Sequence, residues 1–213
     1  SAASDVYKRQ LIYTRISYTE SVKKDAEEER DQLKSTFFLY ILASSLVAMG
    51  YADFALMAYH IKTSALLPDG WIPLLYATAM GVDAIFALLF GVLFDRIGFY
   101  ALMLGVLFAS PFSLFAFSLS VPAVWMGIAL WGLGMGIQES IMRSAIAKLT
   151  PPQARGKAFG IFHFFYGLFW FIGSAILGYL YQVSLAYLMT FSVLCQVISL
   201  VPLFILSKRV SAM

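Results

Sequence analysis

The sequence has 213 residues, of which 61% are hydrophobic and only 13% are charged. In soluble domains roughly a quarter of the residues are charged. This composition therefore excludes an ordinary soluble domain and places most of the chain in lipid. The net charge of +3 reflects basic segments beside membrane spans, and we infer no nucleic-acid partner from it. The single cysteine, Cys195, excludes a disulfide framework within the chain.

Residues 1–35 are polar and start without an initiator Met. The stretch Asp-Val-Tyr-Lys-Arg-Gln near the start resembles the translated end of a sequencing adapter, so we treat residues 1–10 as an artefact. We expect residues 11–35 to form a cytoplasmic linker ahead of the membrane region. Lys and Glu are spaced as helical ion pairs within residues 21–34, which favours a solvated surface helix over a partner-binding tail.

Six apolar segments follow, each near the roughly 20 residues that a helix needs to cross a bilayer. They predict an all-α membrane protein in which residues 36–206 form six transmembrane helices and residues 207–213 form a cytoplasmic tail. The expected spans are residues 37–61, 72–94, 99–119, 122–142, 158–181 and 185–206.

The distribution of basic residues predicts the orientation of these spans, because Lys and Arg are retained on the cytoplasmic side during insertion. With a cytoplasmic start, only Lys62 falls on the outer side. We therefore expect a multi-pass protein of the cytoplasmic (inner) membrane with both chain ends inside. The other fourteen Lys and Arg residues lie in segments 1–36, 95–98, 143–157 and 207–213.

A charged turn interrupts the apolar sequence between the second and third spans. It follows the pattern G-x-x-x-D-R-x-G, whose fixed positions are Gly91, Asp95, Arg96 and Gly98. This pattern resembles the short cytoplasmic loop signature of the major facilitator superfamily of transporters. The family's turn often ends in two basic residues, whereas Phe99 and Tyr100 stand at those positions here.

A second motif, P-x-x-x-R-G-x-x-x-G, covers residues 151–160 and includes Arg155 and Gly156. It resembles the entry to the helix that follows the second long cytoplasmic loop in each half of that superfamily. Together the motifs resemble the carboxyl-terminal six-helix half of a prokaryotic member. Members usually have twelve helices, so the resemblance implies that an amino-terminal half or a second copy completes the bundle. The other expected partners are the lipid bilayer and a small-molecule substrate.

Four ionisable residues stand out inside the expected spans, namely Asp53, Asp83, Glu139 and His163. A central charge costs about 2.5–3.5 kcal/mol on insertion scales, so intramembrane ionisable groups are functional candidates. They occupy the first, second, fourth and fifth spans, while the third and sixth carry no Asp, Glu, Lys, Arg or His. The resemblance implies the same division, because the corresponding four helices line the cavity of the superfamily's carboxyl-terminal half.

We consider two roles for the central polar residues. Asp53 and Asp83 are candidates for binding a proton or a cationic substrate, since a partly desolvated carboxylate takes up a proton more readily. The alternative is a hydrogen-bonded acid that only joins helices. His163, Tyr166 and Trp170 share roughly one helix face, where a cation or aromatic substrate could stack. Simple aromatic packing between helices is the plainer interpretation of that face.

Charged residues near the cytoplasmic ends predict a gate. Glu139 and Arg143 are four residues apart in the order that favours a helical ion pair. We expect Glu139 and Arg143 to lie at the same depth in the membrane as the charged turn. These charged residues are therefore expected to form a lock of ion pairs when the cavity closes on the cytoplasmic side. Static anchoring at the headgroup boundary is the alternative. The expected lock contains Asp95, Arg96, Glu139, Arg143 and Arg155.

These patterns predict secondary active transport of a small solute by alternating access, with proton coupling as symport or antiport and no cofactor or metal. One alternative is a six-helix structural or assembly protein, or a half-size transporter that dimerises. An intramembrane aspartyl protease fits less well, because the sequences around Asp53 and Asp83 lack the Y-D and G-x-G-D spacings of that family. We therefore do not expect an enzyme.

Overall fold

The computed structural model describes residues 35–211, apart from the side chains of residues 142 and 143. This part of the chain forms helices and turns without a strand. Short 3-10 helices at Asp69–Trp71 and Pro152–Ala154 precede α3 and α7. The α-helices are α1 (Ser35–Met49), α2 (Phe54–Thr63), α3 (Ile72–Ile97), α4 (Phe99–Ala109), α5 (Phe112–Ala116), α6 (Val121–Leu149), α7 (Arg155–Val183) and α8 (Leu185–Ser211). The interpretations of residues 1–34 lie outside the described residues.

The predicted all-α fold with six membrane-spanning helical segments is confirmed. Most spans extend beyond their predicted ends, because the helices continue into flanking polar and charged residues. A prediction from apolar residues alone ends before those residues. The third span instead ends earlier, at Ala116. The spans are Ser35–Thr63, Asp69–Ile97, Phe99–Ala116, Val121–Leu149, Pro152–Val183 and Leu185–Ser211.

The helices pack as a bundle in which α3 lies along α6, while α1 contacts both α7 and α8. Two glycines on α6 permit the first of these contacts. A side-chain carbon at Gly132 would collide with the Ala79 carbonyl, and one at Gly136 would collide with the backbone and carboxylate of Asp83. Small residues of this kind let helix backbones approach closely in lipid, where packing drives association.

The first span is not one continuous helix, a feature that the sequence analysis did not anticipate. Its two helices are separated by residues 50–53, and Asp53 has an extended conformation. Unpaired backbone groups are costly at membrane depth and must be satisfied within the protein. Here the Trp131 indole donates to the Ala52 carbonyl at 2.9 Å, and the Ser192 hydroxyl donates to the Gly50 carbonyl at 2.7 Å.

Tyr51 completes this arrangement at the break. Its hydroxyl donates to the Trp131 carbonyl, and its ring is fully buried against Phe112. The backbone at Met49 also lies so close to Gly173 on α7 that a side chain there would collide with it. Neighbouring helices therefore hold the break from several sides, and the break fixes the position of Asp53.

The close contact of α3 with α6 predicts different effects of alanine at two glycines. Gly132→Ala should lower the free energy of unfolding by about 1–3 kcal/mol, the usual effect of overpacking. Gly178→Ala on α7 meets open space and should be neutral or stabilising by up to about 1 kcal/mol, because alanine favours a helix over glycine. Denaturant unfolding of the purified protein in detergent measures both. Equal destabilisation by the two variants would contradict the close packing described here.

Candidate functional site

Asp53 connects the broken first span to α7. Its Oδ1 accepts a hydrogen bond from the Trp170 indole at 2.7 Å, and its Oδ2 accepts one from the Ser174 hydroxyl at 2.5 Å. Trp170 and Ser174 are four residues apart and therefore share one face of α7. Both carboxylate oxygens have a donor, so this acid joins two helices. Sequence reasoning proposed Trp170 for substrate binding and missed Ser174.

Asp83 has a different environment on α3. Its Oδ1 is buried and has no hydrogen-bond partner within the described part of the chain. The side chain faces α6 at Gly136, and the Glu139 carboxylate lies within electrostatic range. A buried carboxyl oxygen without a donor is unfavourable when the group is charged, and a nearby like charge adds to this. Asp83 is thus the less satisfied of the two aspartates.

A cavity of about 340 Å³ lies between α6 and α7. It brings together Glu139, His163, Tyr166 and Trp170, three of which were proposed for substrate binding and one for the gate. The remaining lining residues are largely apolar or aromatic: Met135, Gln138, Ile146, Phe159 and Phe162.

Hydrogen bonding and ring stacking organise the wall of this cavity. The Tyr166 hydroxyl donates to Gln138 Oε1 at 2.8 Å. The Tyr166 and Trp170 rings meet edge to face with centroids 5.6 Å apart, and the His163 ring stacks on Phe159 at 6.2 Å. The described wall thus offers aromatic surface and the Gln138 amide beside one exposed carboxylate, that of Glu139. Gln138 and Phe159 were not singled out from the sequence.

The charged turn lines a separate cavity of about 440 Å³. Asp95 and Arg96 are exposed there beside Lys148, a residue that sequence reasoning did not propose. Gly98, with φ of 60°, ends α3 and reverses the chain into α4, a backbone conformation that glycine adopts readily. Gly91 lies within α3, where a side-chain carbon would meet open space.

Among the described members of the expected lock, Glu139 lies apart from Asp95 and Arg96 in this conformation. The one ion pair within the described part of the chain joins Lys62 Nζ to Asp69 at 3.3 Å, near the opposite ends of the spans. Asp95 and Arg96 line one cavity and Glu139 another. The side chain of Arg143 lies outside the described residues, so its pairing with Glu139 stays a prediction.

The second motif forms the turn into α7. Arg155 Nη2 donates to the Ala147 carbonyl at 3.2 Å, in the last turn of α6. This bond satisfies one of the carbonyls that a helix end leaves without a partner. Gly156 is exposed and meets no neighbour that would exclude a side chain.

His60 on α2 is an ionisable residue that sequence reasoning overlooked. It is buried, and its Nδ1 lies 3.2 Å from the Tyr181 hydroxyl. The Tyr181 hydroxyl also lies 3.2 Å from the Thr63 hydroxyl. These contacts join α2 to the far end of α7, distant along the helix from the cavity residues. The sequence could have indicated His60 as a candidate, because a histidine within an apolar run is uncommon.

Comparison with known proteins assigns the chain to a family. The model of the Major Facilitator Superfamily matches residues 33–212. The chain belongs to the Major Facilitator Superfamily. The resemblance carried by the two motifs is therefore confirmed, and members of this superfamily are membrane transporters rather than enzymes.

Three mycobacterial proteins are similar to the chain in sequence. An uncharacterized protein of Mycobacterium bovis and two of Mycobacterium tuberculosis are each 32% identical to the chain over 172 residues. The alignments cover 81% of this chain but only 42% of each relative. The chain thus spans less than half the length of these proteins. No solved structure matches the chain significantly.

The contacts of Asp53 predict a measurable coupling within this superfamily member. Trp170→Phe and Ser174→Ala should each lower the free energy of unfolding by about 1.5–3 kcal/mol, the usual contribution of a hydrogen bond to a charged group. In an Asp53→Asn background the same changes should have smaller effects. Denaturant unfolding in detergent gives the double-mutant cycles.

Thr190→Ala is the matched control for the Asp53 contacts. The Thr190 hydroxyl is exposed and donates to a carbonyl of its own helix, so its loss should change stability by less than about 0.5 kcal/mol. Additive effects of Asp53→Asn with both α7 variants would show that Asp53 does not join the helices.

Proposed function

We propose that this chain is the carboxyl-terminal half of a secondary active transporter that moves a small solute across the cytoplasmic membrane by alternating access. The observation that carries the proposal is the cavity between α6 and α7, with an exposed carboxylate and aromatic walls inside a six-span membrane bundle. Substrate sites of this kind lie near the bilayer midplane at the interface of two repeats. The other repeat would come from an amino-terminal half or from a second copy.

The exposed sides of the bundle support a missing second half. The second and fifth spans are the least buried, with only 17% of their apolar windows covered by the rest of the chain. Both carry polar residues proposed for function, Asp83 on α3 and the cavity residues on α7. A partner bundle that packed beside these spans would complete the cavity. Cross-linking between copies would favour a dimeric half-transporter over a twelve-helix polypeptide.

We assign proton coupling to Asp83 rather than Asp53. Asp53 has a donor on each carboxylate oxygen, so both of its oxygens are occupied in joining the helices. Asp83 has a buried oxygen without a partner within the described residues and a second carboxylate nearby. A group whose charge is poorly stabilised in one conformation can bind and release a proton as its surroundings change.

The proton assignment is tested with the complete protein in proteoliposomes, using a solute found by an uptake screen. Asp83→Asn should abolish accumulation driven by a pH gradient while exchange of labelled for unlabelled solute continues, because only the coupling step needs the proton. Asp53→Asn should retain gradient-driven accumulation, with reduced protein stability. Gradient-driven accumulation by Asp83→Asn equal to that of the wild type would refute this role.

We also propose that the expected charge lock forms when the cavity closes on the side of the charged turn. Asp95 and Arg96 are exposed and have no ion-pair partner among the described residues. Acids and bases at one level of the bundle attract each other as the helices approach, which is the electrostatic basis of a gate.

A cysteine reporter tests the lock. In a Cys195→Ser background, His163→Cys places a thiol in the cavity for labelling by a membrane-impermeant reagent from the side of the charged turn. Adding Asp95→Asn should raise the labelling rate about fivefold, since loss of roughly 1 kcal/mol of ion pairing shifts a two-state equilibrium by that factor. Lys62→Gln, at the opposite ends of the spans, is the control. The same rate with and without Asp95→Asn would exclude the lock.

A further inference from the structure

The side-chain amide of Gln196 lies deep inside the bundle. Gln196 belongs to α8 and is fully buried. Neither its Oε1 nor its Nε2 has a hydrogen-bond partner among the described residues. Burying an amide without partners is costly, so buried polar groups pair with the protein or with ordered water. This amide therefore needs a partner other than the groups that the structure describes.

A small cavity lies beside this amide, between α1, α4, α6 and α8. Gln196 lines it together with Tyr51, Gly134 and Gln138, and the other lining residues are apolar. The cavity has a volume of about 10 Å³, near the minimum of roughly 10–15 Å³ that one water molecule needs. Cavities that stay dry are lined by apolar groups alone, whereas two amide side chains line this one. Its size and its chemistry both suit a single water molecule.

Positions 142 and 143 of α6 are not suited to supply the missing partner. Residue 142 is a methionine, whose thioether sulfur is only a weak acceptor. Position 143 follows Gly134 by nine residues, which is about two and a half turns of helix. It therefore lies on the face of α6 opposite Gly134, and Gly134 lines the cavity. Water is the partner that fits the cavity.

Gln138 offers a second contact for this water. Its Nε2 carries two hydrogens, and it donates to the Gly134 carbonyl at 3.2 Å. Its Oε1 accepts from the Tyr166 hydroxyl at 2.8 Å. These described contacts leave one N–H of Gln138 for the small cavity. Gln138 also lines the cavity of about 340 Å³ between α6 and α7, so the two cavities meet at this residue.

We propose that the small cavity binds one ordered water molecule, which bridges Gln196 to Gln138. The water accepts hydrogen bonds from Nε2 of both glutamines and donates one to Oε1 of Gln196. Three hydrogen bonds are typical of a buried water, and such a bridge is nearly as favourable as a direct hydrogen bond. Through Gln138, the water connects α8 to Tyr166 in the wall of the larger cavity. The site goes beyond the proposed transport function and does not depend on it.

Radiolytic labelling of the complete protein in detergent tests for this water. X-rays convert water to hydroxyl radicals in place, and mass spectrometry then locates the oxidised side chains. Tyr51 and Phe37 are both fully buried aromatic residues, but of the two only Tyr51 lines the small cavity. We expect oxidation of Tyr51 and none of Phe37, because the bound water generates radicals beside Tyr51.

Three variants assign the labelling to the two amides. Gln196→Leu is similar in size but has no polar atom, so it should lose the oxidation of Tyr51. Gln138→Leu removes the other contact and should lose it as well. Gln196→Asn keeps an amide and should retain it. Tyr59 is exposed, and its oxidation should be the same in every variant, which controls for radical dose.

Several outcomes would overturn the water site. Equal oxidation of Tyr51 and Phe37 in the wild type would do so, and this comparison needs no variant to fold. Unchanged oxidation of Tyr51 in a Gln196→Leu protein with a wild-type size-exclusion profile would show that the amide holds no water. A high-resolution structure of the complete protein in which Gln196 bonds directly to a protein group would replace the bridge. Oxidation of Tyr51 that depends on both glutamines supports it.

Discussion

The structure depends on satisfying backbone and carboxyl groups where the first span breaks within the membrane. Lipid offers no hydrogen bonds at that depth, so every group released between α1 and α2 needs a partner from a neighbouring helix. Trp131, Ser192 and Tyr51 provide these contacts for the backbone. Asp53, at the end of the break, in turn accepts hydrogen bonds from α7. The break therefore joins the first span to the fourth, fifth and sixth.

This constraint explains why two aspartates that look alike in the sequence have different properties. Asp53 lies where a helix has opened, so donors from α7 can reach both of its oxygens. Asp83 lies within an unbroken helix against Gly136, where the close approach of α6 buries one oxygen without a donor. The contrast therefore comes from backbone geometry rather than from residue type.

The sequence predicted what depends on composition and local pattern. The number of spans follows from apolar length, and the family follows from the turn around Asp95 and the motif around Arg155. The break at residues 50–53 was not predictable in this way. It contains no proline, and its stability comes from side chains distant in sequence, such as Trp131. Likewise, spacing alone could not place Glu139 in the cavity with Tyr166, because that depends on how α6 rotates against α7.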